Sequence, residues 1–487
     1  MEWLRSDDYW LARLLFQRAL AAIYLVAFLV TLRQFRPLLG ERGLLPAPAF
    51  LAAVRFMESP SIFHWRYSDR LLVIVSWIGL VLASAAVLGI LDLVPTPVAM
   101  LVWFALWALY LSIVNVGQTF YSFGWETLLC ETGFLAIFLG NAQVPPTIAL
   151  VYLVRWLLFR VEFGAGLIKM RGDRCWRDLT CLYYHHETQP MPNPLSWYFH
   201  HLPKRFHRFE VLGNHFAQLV VPVFLFAPQP VASIAALAIL GTQAWLVLSG
   251  NFAWLNVLTM TLAVASLSDD AFGVIGLHSG DLVPGLTEGQ PGQLFYMPEW
   301  FGVVVLAVTA LIVGLSYRPA RNLLSPRQLM NYSFDPFNVV GTYGAFGSVT
   351  KERDEVVVSG TRDAVITPQT EWLEYEFKGK PGDVRRRPRQ YAPYHLRLDW
   401  LMWFAAMSSP MYHEWFVPFV SKLLAADGPT LALLRHDPFA GERPRFVRAQ
   451  LYRYRFTTPD EHRENGAWWH RELLGDYLRP VSLRATS

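Results

Sequence analysis

Six runs of about 20 mostly apolar residues punctuate this chain, at 14–32, 71–94, 98–116, 147–168, 231–249 and 300–317, and a helix needs about that length to cross a bilayer core. In lipid every backbone polar group must be satisfied within its own segment, so such runs commit the chain to helices. Three shorter or interrupted stretches, 127–139, 215–226 and 252–267, raise the expectation to about nine crossings. Composition points the same way. The chain is 53% hydrophobic and 16% charged, against about 25% charged in soluble domains. Its 19 Trp and 20 Tyr suit the aromatic belts of a bilayer protein. Residues 47–57 read as interfacial. The first apolar run is followed by no small-residue cleavage site, so it reads as a membrane helix that also directs insertion. The terminal VSLRATS is no reticulum-retrieval signal.

From about Asn331 the apolar runs shorten and alternation appears. Leu373, Tyr375 and Phe377 alternate with Glu374, Glu376 and Lys378, and Tyr452, Tyr454 and Phe456 share a face opposite Arg453 and Arg455. Period two with aromatic enrichment marks half-buried strands. Residues 355–359 read as another strand, and 396–407 and 418–434 as helical cover. The expected fold is therefore an α-helical multi-pass domain over 1–330, with a long polar loop at 170–210, followed by a β-rich extramembrane domain over 331–487.

Several function classes drop out. The formal charge of +4 comes with no basic stripe among stacking aromatics, so no nucleic-acid partner is expected. Three cysteines exclude a disulfide framework. No G-x-S-x-G elbow, phosphate-cradling loop or dinucleotide fingerprint stands in a suitable context, and no cofactor is expected.

Ionisable residues at membrane depth are costly and tend to be functional. Glu126 and Glu131 flank a short apolar helix. Arg155, Glu162 and Lys169 are spaced by seven, so on one helix they drift only about 20° per step and share a face. Gly164 and Gly166 on that helix would admit a close neighbour. Two readings fit: a polar pocket with Lys169 at its mouth, or structural ion pairing of Arg155 or Arg160 with a glutamate of the next helix. Cys130, alone in an apolar helix, reads as core packing. His185, His186, His200, His201, His207 and His215 invite a metal reading, with His185, His186 and Glu187 as ligands. No H-E-x-x-H or C-x-x-C accompanies them, so a hydrogen-bonded loop core is expected and no metal. Pro190, Pro192 and Pro194 stiffen an extended segment, which suits a rigid loop or a client-binding ledge. Arg385 to Arg387 read equally as a headgroup contact or a solvated charge run.

The polar loop itself, LIKMRGDRCWRDLTCLYYHHETQPMPNPLSWYFHHLPKRFHRF (167–209), resembles the lipase maturation factor family. So do YSFGWETLLCETGFLAIFL (121–139), FEVLGNHFAQLVVPVFLF (209–226), LSGNFAWLNVLT (248–259), EYEFKGKPGDVRRRPRQYAPYHLRLDWLMWFAA (374–406) and RFVRAQLYRYRFTT (445–458). The resemblance implies a membrane-bound chaperone or maturation factor whose partners are the lipid bilayer and secreted clients such as lipases. It implies an endoplasmic reticulum membrane in eukaryotic relatives and an inner membrane for a bacterial source. It also places the long loop and the C-terminal domain on the non-cytoplasmic side. The arginine-rich loops at 33–70, 169–208 and from 318 onward, with an acidic 268–299, would by the positive-inside rule place them in the cytoplasm. Folded loops escape that rule more easily than short ones, so the family's orientation is the expectation.

Trp176, His185, His186, Trp197 and Tyr198 are then the client-binding candidates. Cys175 and Cys181, six apart, match the family string, and three states fit them: a structural disulfide, an exchange pair flanked by Arg174 and Arg177, or two free thiols. A second, shorter resemblance links FGAGLIKMRGDRCW (163–176) to the vitamin K-dependent γ-glutamyl carboxylases, where the matching lysine is a base. It implies a rival reading: an enzyme acting on a lipid or quinone-like substrate, with Lys169, Glu162 and Glu131 as the acid/base set.

Overall fold

The computed structural model describes residues 1–282 and 296–483. Part of the acidic segment 268–299 and the last four residues lie outside them. Eleven helices frame the site: α1 (Trp10–Leu39), α2 (Asp69–Leu88), α3 (Thr96–Asn115), α4 (Gly124–Ala136), α5 (Ile148–Arg171), α6 (Lys204–Leu219), α7 (Val231–Ser249), α8 (Leu255–Val264), α9 (Glu299–Leu315), α10 (Arg397–Ala405) and α11 (Phe416–Leu424).

Six helical segments among the described residues are long and apolar enough to cross a membrane: Asp7–Leu39, Asp69–Leu88, Thr96–Asn115, Lys204–Phe226, Val231–Ser249 and Glu299–Leu324. The expected nine are therefore not reached, and the physical reasons differ. With 13 and 10 residues, α4 and α8 span only about 20 and 15 Å at 1.5 Å per residue, well short of a core about 30 Å thick. With 24 residues α5 is long enough, but it carries Arg155, Arg160, Glu162 and Lys169, all of them buried. It is a helix wrapped by protein.

The C-terminal part contains strands but is less β-rich than expected. A two-residue pair, β1 (Tyr332–Ser333) and β2 (Gly341–Thr342), precedes an antiparallel sheet in the order β4 (Leu373–Glu374), β3 (Arg353–Thr361), β5 (Phe446–Phe456), β6 (Trp469–Val481). The alternation at 372–378 yields only β4, followed by an isolated bridge from Glu376 to His436. In β5 the expected faces separate: Tyr454 and Phe456 are buried, while Arg453 pairs with Asp354 at 2.5 Å and Arg455 with Glu461 at 2.7 Å. The helical cover forms as α10 over the first stretch, whereas the second is helical only as α11 and a separate turn at Gly428–Leu431.

One contiguous apolar core runs from Tyr9 in the bundle to Ala449 in the sheet, and two buried glutamates of α4 anchor the C-terminal part. Glu126 accepts from Arg397 at 2.7 Å, and Arg397 also donates to the Phe120 carbonyl at 2.7 Å. Glu131 pairs with Arg160 and accepts from Tyr343 Oη at 2.6 Å and the Gly341 amide at 2.8 Å. Every oxygen of Glu131 is thus engaged, as a buried charge requires.

Candidate functional site

The two glycines of α5 decide how the site is closed. A Cβ on Gly164 would strike the Tyr343 carbonyl, and one on Gly166 would press on Leu219 and Gln218. Only glycine lets the C-terminal segment and α6 approach α5 so closely. Between α4, α5, α6, α7 and α8 and the C-terminal part, which contributes residues of 326–348 and α10, they leave a cavity of about 1230 Å³, larger than the roughly 300–1,000 Å³ of most small-molecule sites.

Its polar floor is built from α5 outward. Glu162 accepts from Gln243 Nε2 at 2.6 Å, and Gln243 Oε1 accepts from Asn256 Nδ2 at 2.8 Å. Lys169 donates to Gln218 Oε1 at 2.9 Å and, more loosely, to Asn214 Oδ1 at 3.4 Å, with its ammonium 4.9 Å from the Trp176 ring centre. Neither Glu162 nor Lys169 forms a salt bridge among the described residues; the Gln218 side chain lies between them. Glu131 does not line the cavity, and Arg155 points away from it, donating to Tyr9 Oη at 2.9 Å and the Ser266 carbonyl at 3.1 Å. So the heptad-spaced residues separate: Glu162 and Lys169 share the cavity, and Arg155 does not. The four amides were missed from sequence, although Gln243 and Asn256 inside otherwise apolar helices carry the same cost signal as a charge.

The polar loop is folded against this site. Cys175 and Cys181 form a disulfide that packs with Trp176 and Val211 of α6. Trp176 Nε1 donates to the Phe346 carbonyl at 2.8 Å. His185 and His186 are buried at the cavity wall. Trp197 is buried and donates to the Thr457 carbonyl at 2.9 Å, whereas Tyr198 is 48% exposed. Pro190, Met191, Pro192 and Asn193 are buried as well. Arg353 reaches in from β3 to bond the carbonyls of Glu187 at 2.9 Å and Pro190 at 3.0 Å while pairing with Glu355 at 2.6 Å. Of the five client candidates only Tyr198 offers a surface; beside it the Arg387 guanidinium stacks at 5.7 Å from the Tyr198 ring centre and 5.2 Å from that of Trp468. Trp197→Ala should therefore cost about 3–5 kcal/mol of stability and Tyr198→Ala no more than about 0.5 kcal/mol. Denaturant unfolding of the two variants in detergent checks this, and equal losses would contradict the assignment.

The histidines do not converge as His185–His186–Glu187. Glu187 turns away to accept from the Phe456 amide at 2.6 Å. His186, His207 and Glu210 do come together, with candidate ligand atoms within 4.8 Å of one another. Glu210 faces His207 Nδ1 at 2.7 Å and accepts from Trp245 Nε1 at 2.9 Å, while His186 Nε2 is buried without a hydrogen-bond partner among the described residues. The basic run is tied down in part: Arg386 donates to the Phe377 and Lys380 carbonyls at 2.8 Å, and Arg387 to the Pro194 carbonyl at 2.9 Å.

Burial sets the protonation of the loop and C-terminal histidines. It pushes His185, His200 and His395 down to about 4 from an ordinary 6.5. Each then binds fewer protons folded than unfolded between those values, so stability is complete above about pH 6.5 and falls as pH drops towards 4, by up to about 1.4 kcal/mol per pH unit for each group. Thermal melts at pH 7.5 and pH 5 should differ in that direction; a midpoint unchanged or higher at pH 5 would contradict neutral, buried imidazoles.

Both parts of the structure have counterparts in known proteins. Residues 11–274 match the family described as Lipase maturation factor transmembrane domain, and 339–479 match Lipase maturation factor C-terminal domain. Lipase maturation factor 1 of Homo sapiens is 45% identical over 506 aligned residues, covering 99% of this chain and 89% of its own length. The Mus musculus protein of the same name is 43% identical over 99% of this chain and 88% of its own. Lipase maturation factor 2 of Rattus norvegicus is 30% identical over 96% of this chain and 83% of its own. No solved structure matches. With the bundle, the folded loop and the interlocked C-terminal part all inside these matches, the chain belongs to the lipase maturation factor family.

Proposed function

We propose that this protein is a membrane maturation factor that holds newly made secreted lipases at the non-cytoplasmic face and acts by binding rather than by catalysis. The observation that carries the reading is the similarity to lipase maturation factor 1 over 99% of the chain, which spans the membrane bundle and the C-terminal part together. The orientation rests on the Cys175–Cys181 disulfide, because such bonds persist in oxidising compartments and are rare in the cytosol. In a eukaryotic cell that face is the reticulum lumen. The client surface we favour is the exposed rim around Tyr198, Arg387 and Trp468, since Trp176, His185, His186 and Trp197 are committed to packing. An acid/base set gains little from the geometry: Glu131 does not line the cavity and is saturated by its donors, and amides alone hydrogen-bond Glu162.

The test is rescue. Cells lacking their own maturation factors, expressing a secreted lipase together with this chain, should release lipase of restored activity per molecule. Lipase that stays inactive with the chain well expressed would defeat the reading.

A further inference from the structure

The cavity's exposed lining residues fall into two groups. One lies away from α6 and α7 and is mixed in character, with Thr119, Ser122, Arg171, Arg327, Met330 and Phe404 among its members. The other lies on α6 and α7: Phe206, Phe209 and Trp245, which are 41%, 72% and 39% exposed. Between those aromatics the wall is thin. Gly213 of α6 and Gly241 of α7 both line the cavity, and a Cβ on either would meet no atom within 4 Å. Both helices belong to segments long and apolar enough to cross a membrane, and exposed Lys204, Arg205 and Arg208 at the start of α6 suit the headgroup level, which would turn the glycines between them towards acyl chains.

The chemistry of the interior is uneven in a way that names an occupant. Most of the lining is apolar. At one end sits Lys169, buried, whose ammonium among the described residues is met directly by two amide oxygens and an indole face. Glu162 lies seven residues earlier on α5, about 10 Å along the axis at 1.5 Å per residue, and takes its donor from Gln243 instead. A buried ammonium served by neutral partners alone is costly, and a charge of this kind inside a bundle marks a place where a complementary group enters.

We propose that the cavity holds one bilayer lipid, its acyl part entering between α6 and α7 and its anionic oxygen head, a phosphate or a carboxylate, held by Lys169 beside Asn214. The lipid supplies a counter-charge in direct contact with the ammonium, which Glu162 reaches only from a distance, and the apolar walls take the tail. This proposal is independent of the maturation reading: lipid occupancy and lipase rescue are separate measurements.

The experiment uses the full-length protein extracted in mild detergent, with bound lipid quantified per chain. The wild type should retain about one lipid per chain, enriched in anionic heads over the surrounding membrane. Gly213→Trp and Gly241→Trp place an indole in open space at the mouth and should strip that lipid at normal protein yield. Gly314→Trp on α9, where a Cβ also meets nothing, controls for bulk on the membrane-facing surface and should leave it. Lys169→Met should lower the preference for anionic heads about tenfold, equivalent to about 1.4 kcal/mol. Photoactivatable phosphatidylglycerol and photoactivatable palmitate, each in phosphatidylcholine nanodiscs, then separate the two head chemistries by which one labels cavity residues. Retention of the same lipid by both glycine variants, an unchanged head preference in Lys169→Met, or labels confined to the outer faces of the helices would each overturn the proposal. The labelling arm uses the wild type, so it decides even if a tryptophan variant fails to fold.

Discussion

Arg397→Met should destabilise the protein by about 3–5 kcal/mol, because it strands Glu126 as a buried charge without its partner. Both side chains are fully buried in the wild type, and the pair joins α10 to α4. Tyr110 Oη also donates to Glu126, yet a phenol cannot replace a guanidinium as counter-charge. The loss should show as a lowered unfolding midpoint in detergent and as early proteolysis between the bundle and the C-terminal part. The double variant Glu126→Gln, Arg397→Met removes both charges and should recover most of the loss, since replacing a whole buried pair is often near neutral. A single variant as stable as wild type would mean that the contact does not hold the two parts together.

Arg353→Met should produce a loss of similar size, about 3–5 kcal/mol, because it takes the donors from several buried carbonyls at once, but localised elsewhere. Arg353 and Glu355 are both fully buried on β3, with Lys380 2.8 Å from the second Glu355 oxygen. Removing the guanidinium also frees the Glu187 and Pro190 carbonyls that it holds. The variant should therefore expose the stretch 187–194 to protease before the rest of the chain opens, at a Cys175–Cys181 bond that stays intact. Cleavage that begins in the bundle instead would contradict the role assigned to Arg353 as the tie between loop and sheet.

How much of this was legible beforehand depends on the range over which each signal acts. The membrane helices follow from local composition, which is why α2, α3 and α7 lie where the apolar runs predict them. The shortfall in crossings comes from α4 and α8, whose apolar runs outlast their helices, and from α5, whose charges face protein rather than lipid. Strand β5 was readable because its alternation is local, whereas the run at 372–378 pairs over only two residues, since its neighbours commit to a bridge with His436. The loop misled for a related reason. Its density of Trp, His and Pro reads equally as an exposed binding ledge or as a core, and only long-range contacts such as Trp197 to Thr457 decide for core. The partners Arg397 and Arg353 lie 271 and 163 to 166 residues from the groups they hold, beyond the reach of any local pattern. Glu162 and Lys169, by contrast, were placed on one face by spacing alone, and the structure adds the amides that keep them apart.

The most direct test of a binding role follows newly made lipase through time. Cells co-expressing a secreted lipase with this chain are pulse-labelled, crosslinked in intact membranes at successive times, and the full-length protein is isolated under denaturing conditions. The expected result is labelled lipase attached early in the chase and released as active lipase accumulates outside, with attachment weakened in Tyr198→Ala at unchanged protein abundance. Lipase that becomes active and is secreted without being captured at any time would contradict a maturation factor that works by holding its client.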